Sequence, residues 1–107
     1  MVGLEIKLDE ERMIEEGISL KMMWDAVDFE LARHRFLRAD IGTSGVFYFS
    51  PYDDSLSSAV SAAGMVRCRV FRFERFCIRC KGYLMDKDKN KTDSVDIRKR
   101  LGFMNFD

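Results

Sequence analysis

One proline, Pro51, and seven glycines in 107 residues leave little material for flexible linkers or low-complexity segments. One histidine, His34, means that any Ser/His/Asp or Cys/His centre would have to be built around a single imidazole, and no nucleophile motif accompanies it. No run approaches the ~20 apolar residues of a membrane-spanning helix. The start, Met1-Val2-Gly3-Leu4-Glu5, has neither the basic region nor the long apolar stretch of a secretory leader. Three cysteines are too few, and odd in number, for a disulfide framework. Free thiols in a reducing compartment are expected, which points to the cytoplasm. Charge of neither sign is in excess, with 18 basic and 18 acidic side chains.

What is present is enough apolar material for a core. The hydrophobic fraction is 47%, including nine Phe and seven Met, and the length suits one domain over residues 1–107. The balanced charge is also segregated. Residues 1–30 hold nine acidic and three basic side chains, whereas residues 65–85 hold six basic and one acidic. Local potential follows the patch and not the total, so a neutral chain can still carry an anion-binding face.

Residues 4–8, Leu-Glu-Ile-Lys-Leu, alternate and predict a half-buried strand. Asp9 stands at an N-cap position before a short helix over 10–16, with Glu10 and Glu11 in the dipole-favoured first turn and Gly17 as its stop. Ser19 caps a longer helix to about Phe36, whose inward face is Leu20, Met23, Trp24, Val27 and Leu31. Residues 39–45 have loop composition, and Gly42-Thr43-Ser44-Gly45 is too short for a phosphate loop. Val46-Phe47-Tyr48-Phe49 is a strand ended by Ser50-Pro51. Asp53-Asp54-Ser55 starts a small-residue helix through Ala63, with Gly64 as its stop. Residues 65–85 read as a β-hairpin, 87–93 as a polar loop and 95–101 as a short basic helix, with 86–107 either docked or a mobile extension. The order is βααβαββα: an α+β domain with helices on a small, mainly antiparallel sheet.

Hydrophobic patterning sets the expected hairpin register, with a three-residue loop at Phe73-Glu74-Arg75. One face is then almost wholly apolar and includes Cys68 and Cys80. The other collects Arg67, Arg69, Arg79 and Lys81 beside Phe71 and Tyr83. That register places Arg69 opposite Arg79 and Arg67 opposite Lys81, and like charges in cross-strand pairs are unfavourable. An anionic ligand, the acidic N-terminal helices or solvent would have to compensate. The loop also lacks the Gly or Asn that its left-handed position usually takes, so Arg75 would have to adopt it. Cations with aromatic neighbours are the ingredients of a single-strand nucleic-acid binder; the ordinary reading is a solvated sheet face.

Cys77-Ile78-Arg79-Cys80-Lys81-Gly82 has the outline of a zinc knuckle. A structural site needs two further ligands, and the chain offers only Cys68 and His34. In the expected register Cys77 and Cys80 also point to opposite faces, so buried, small apolar thiols are the ordinary reading. Asp86-Lys-Asp-Lys-Asn-Lys-Thr92 begins like a calcium loop but carries Lys91 where Gly belongs and Ile97 where Glu belongs. No catalytic residues, metal site or cofactor are assigned.

The sequence therefore predicts a small non-catalytic interaction protein that self-associates, as a homodimer for example, or docks on a larger protein partner. The candidate exposed aromatics are Phe47 or Tyr48, Phe71, Tyr83, Phe103 and Phe106. The alternatives are single-stranded nucleic-acid binding through Arg67, Arg69, Arg79, Lys81, Phe71 and Tyr83, and a zinc-stabilised module using Cys77 and Cys80. A variant of the leading reading has the acidic segment 9–30 imitating a phosphate backbone.

Overall fold

The alternation at the N-terminus makes β1 (Val2–Leu8), the central strand of the domain. The computed structural model describes residues 1–39 and 45–105. The expected loop at 40–44 and the aromatic Phe106 lie outside the described residues. After β1 come α1 (Glu10–Glu15), α2 (Leu20–Arg33), β2 (Leu37–Ala39), β3 (Val46–Ser50), α3 (Leu56–Arg69), α4 (Phe73–Phe76), β4 (Cys77–Met85), β5 (Lys91–Asp96) and α5 (Ile97–Arg100). The strands form one antiparallel sheet in the order β2-β3-β1-β4-β5. This is the expected α+β arrangement, and no helix among the described residues is long and apolar enough to cross a membrane.

Helix starts follow local chemistry. Asp9 accepts the Arg12 N–H at 3.2 Å, Ser19 accepts the Met22 N–H at 3.2 Å, and Ser55 accepts the Ser57 N–H at 3.2 Å. Gly17, at φ +73°, follows α1 in the left-handed region, where a glycine carries no Cβ penalty. The α2 stripe turns inward as expected: Met23, Val27 and Leu31 are buried, and Leu20 and Trp24 pack at the edge.

Alternation along β1 sends Val2, Leu4, Ile6 and Leu8 into the main core under the helices, where Met13, Phe36, Tyr48, Phe73, Phe76 and Ile97 join them. Gly82 lies in this layer because α3 crosses it closely; a Cβ there would stand 2.9 Å from Ala59 Cβ. The outer face of the sheet carries Gly3, Glu5 and Lys7 from β1, Phe47 and Phe49 from β3, and Arg79, Lys81, Tyr83 and Met85 from β4.

The structure corrects the reading of residues 65–85. There is no hairpin between 65 and 76. The small-residue helix does not stop at Gly64 but continues to Arg69, and Arg72, at φ 64°, turns the chain into α4. Val66 and Val70 satisfy two periods at once: they alternate with Arg67 and Arg69, and they extend the helical stripe Ala59, Ala62, Ala63. The stripe prevails because burying it against β1 and β4 removes apolar area from water along the whole helix. The left-handed residue expected at Arg75 is therefore Arg72. The hairpin of this region lies later, between β4 and β5, and so residues 91–96 are a strand where a polar loop and a helix start were expected.

Candidate functional site

The six residues expected on one basic face belong to three different places. Arg67, on α3, is committed internally: Nε and Nη2 donate to Glu74 at 2.9 and 3.3 Å, and Nη1 donates to the Leu101 carbonyl at 2.7 Å. Its guanidinium also lies 5.0 Å from the Phe103 ring centroid, and Phe103 meets Phe73 edge-on, so the segment after α5 is docked as far as it is described. Glu74 takes a further hydrogen bond from the Met104 N–H at 2.7 Å. That bond, followed by Arg67, holds its carboxyl below the ordinary range. Arg69 lies on the α2 side, 3.7 Å from Glu30. Phe71 stands in the turn after α3.

Arg79, Lys81 and Tyr83 do share a face, the outer face of the sheet. Arg79 approaches the buried Glu5 at 3.5 Å, and the Tyr83 hydroxyl donates to the same Glu5 oxygen at 3.3 Å. Burial, then the Glu5 charge, raises the Tyr83 pKa. Tyr83 stacks on Phe47 with centroids 6.2 Å apart, and the Lys91 ammonium lies 4.1 Å from the Tyr83 centroid. Lys89 sits 5.9 Å from the Phe49 ring. The like-charge pairs expected of the hairpin are absent: Lys81 has Glu5 as its register partner on one side and Asp96 on the other.

Neither Phe47 nor Tyr48 is the exposed aromatic that was expected. Tyr48 faces inward, where its hydroxyl donates to Asp28 of α2, and burial pushes its pKa up. Phe47 points outward but fills the space above Gly3, so it too is buried. Strand β3 is flanked on both sides, by β1 and β2, which a single sequence segment does not reveal.

Cys77 and Cys80 lie on the same side of β4 and not on opposite faces. The register with β1 slips between Lys7 and Leu8, so that Leu8 pairs with Cys77 and Lys7 with Arg79, leaving Ile78 as the extra residue. That bulge brings the two buried thiols into hydrogen-bond contact. The contact, and then burial, raises the Cys80 pKa well above its ordinary value. Cys77 Sγ also donates to the Arg79 carbonyl at 3.4 Å. Cys68 is exposed on α3, and His34 is engaged with Glu30 at 3.3 Å. Among the described residues no three His, Cys, Asp or Glu side chains are grouped to hold a metal ion.

A surface not anticipated from the sequence is the solvent side of α2. Met22 and Phe29 are 73% and 69% exposed, with Ala26 between them, and Phe71, in the turn after α3, is 79% exposed and lines one groove with Met22 and Ala26. Spacings of four and three place Met22, Ala26 and Phe29 on one stripe. The stripe borders a groove of about 380 Å³ lined by Ile18, Met22, Met23, Val70, Phe71 and Arg72. Its signal was in the sequence: Met22 and Phe29 fall off the buried stripe of the same helix at a separation of seven. Arg72 lines the groove, Arg69 precedes Val70, and Arg33 follows Phe29 by one turn. On α2 itself, Asp25 lies 2.6 Å from Lys21, and Glu30 is buried between Arg33, His34 and Arg69.

Comparison with known proteins finds no matching family model, no matching curated protein and no matching solved structure.

Proposed function

We propose that the protein is a small non-catalytic binding module that docks a protein partner through the α2 face. The observation that carries this reading is the exposure of Met22 and Phe71 around an apolar groove, with the exposed Phe29 further along the same α2 stripe. Monomeric surfaces expose scattered apolar residues, but large side chains gathered around a concavity mark interaction sites. Arg72 lines the groove, and Lys21 and Arg69 adjoin its lining residues Met22 and Val70 in the chain. The partner chemistry that fits is an amphipathic segment with a bulky apolar anchor and acidic flanks.

Selection from a random displayed-peptide library tests this. Enriched peptides should combine apolar anchors with Asp or Glu, and Phe29→Ser combined with Phe71→Ser should weaken them at least tenfold with an unchanged melting temperature. Peptides with no shared pattern, or binding indifferent to the double variant, would overturn the proposal. Concentration-dependent dimerisation that the double variant abolishes would replace the acidic segment with a second copy of the chain.

A second reading is favoured by a separate observation, the half-buried Tyr83 ring bordered by Lys81, Arg79 and Lys91 on the outer sheet face. Aromatic rings among cations suit a single-stranded nucleic acid, with bases stacking and phosphates pairing. Anisotropy with labelled oligothymidylate should then show affinity falling steeply with salt. Unaltered binding by a Lys81→Ala, Lys91→Ala, Tyr83→Ala triple variant would end this reading.

A further inference from the structure

Two adjacent methionines of α2, Met22 and Met23, line the same groove in opposite states of exposure. Of the seven methionines in the chain, Met13, Met23 and Met85 are buried, and Met1 and Met65 are partly buried. Met22 and Met104 are the exposed pair, at 73% and 61%. Met104 lines a different cavity with Asp9 and Arg98, and its backbone N–H is fixed to Glu74. Met22 lines the docking groove with Ile18, Ala26 and Phe71. Met23, one residue on, belongs to the buried core. The helix thus turns one thioether of the groove to solvent and the next one inward.

A thioether is oxidised where a peroxide reaches its sulfur. In that step a sulfur lone pair forms the S–O bond as the peroxide O–O bond breaks; the thioether becomes a sulfoxide and hydrogen peroxide leaves as water. The product is polar and chiral, whereas the parent side chain is flexible and apolar. At Met22 the fold tolerates the new oxygen, because the side chain lies outside the core. A docked partner does not. An apolar anchor closing on the groove would strip water from the sulfoxide oxygen and offer it no hydrogen bond in return.

We propose that Met22 is a modification site that switches the groove: hydrogen peroxide converts it to the sulfoxide, which releases the docked segment while the fold stays intact. Reduction by a dithiol, catalysed by a methionine sulfoxide reductase, reverses the switch; the oxygen leaves as water and the dithiol becomes a disulfide. The inference rests on the docking reading of the α2 face.

The test uses the full chain with Cys68→Ser, so that the exposed thiol takes no part, and the peptides that library selection enriches on the untreated protein. In a peroxide time course followed by mass spectrometry, Met22 and Met104 should gain one oxygen at least about tenfold faster than Met13 and Met23. Peptide affinity should fall at least about tenfold in step with Met22 oxidation, at an unchanged melting temperature, and return on treatment with the reductase and dithiothreitol. Each variant is compared with its own untreated form: the loss should vanish in Met22→Leu and persist in Met104→Leu. Undiminished binding by the chain oxidised at Met22, oxidation of Met23 as fast as Met22, or a melting temperature that falls with Met22 oxidation overturns the switch and leaves the docking reading in place. A selection that enriches no peptide overturns the docking reading, and the switch with it.

Discussion

Replacing Gly64 by alanine should stabilise the protein. Gly64 lies inside α3 with a negative φ, and an added Cβ would meet only Leu101 Cδ1, at 3.7 Å, an ordinary van der Waals distance. Glycine in a helix interior costs ~0.8–1 kcal/mol relative to alanine, so Gly64→Ala should gain about that amount and raise the melting temperature by ~4 °C. Gly3→Ala provides the contrast. There the new Cβ would collide with the Phe47 ring, lie 2.8 Å from its Cε1 and stand 2.9 Å from Met85 Sδ, in the central strand. Overpacking of this kind costs ~1–3 kcal/mol. Urea denaturation followed by Trp24 fluorescence and by circular dichroism measures both. If Gly64→Ala lost stability, residue 64 would be a left-handed helix stop, and the continuation of α3 through Val66 to Arg69 would be wrong.

Thiol titration should find one fast cysteine, Cys68, in the native protein, with Cys77 and Cys80 reacting only on unfolding, because both are buried and the Cys80 pKa is raised. Fast reaction of all three would contradict the burial; metal analysis of the same sample settles the zinc alternative, which needs at least half an equivalent per chain. Glu74→Gln should remove ~1–3 kcal/mol at neutral pH, since the carboxylate serves both Arg67 and the Met104 N–H. Because the folded Glu74 pKa lies below its ordinary 4.5, its contribution is complete above that value and disappears as pH falls through the lowered one. The variant should therefore show a shallower acid limb in stability measured between pH 7 and 3, and an unchanged limb would refute the clamp. Phe71→Ser should cost under ~0.5 kcal/mol given its exposure, whereas Phe73→Ala, fully buried two residues on, should cost ~3–5 kcal/mol by the same urea assay. Equal costs would mean that Phe71 packs into the core.

The legibility of the chain varied with the range of the forces involved. Asp9, Ser19 and Ser55 were readable as helix caps because a cap is a bond to a backbone N–H two or three residues away. The α2 core stripe and the alternation of β1 were readable because each is a period within one element. The candidate basic face was not readable. Arg67, Arg69, Arg79 and Lys81 could be gathered only by assuming a hairpin, and the assumption failed where Val66 and Val70 fit two periods at once.

Local sequence thus determined the class of the domain, its caps, its first strand and its longest buried helix face. Tertiary structure decided the rest. Burial against β1 and β4 carried α3 past Gly64 and dispersed the basic residues, giving Arg67 to Glu74 and leaving Arg79 and Lys81 beside Glu5. The slip at Lys7 and Leu8 turned Cys77 toward Cys80, and the flanking of β3 on both sides hid Phe47 and Tyr48. The physical reason is common to all of these: each is chosen by apolar area buried, or charge matched, between different elements that only the fold brings together, a free energy that no single element contains.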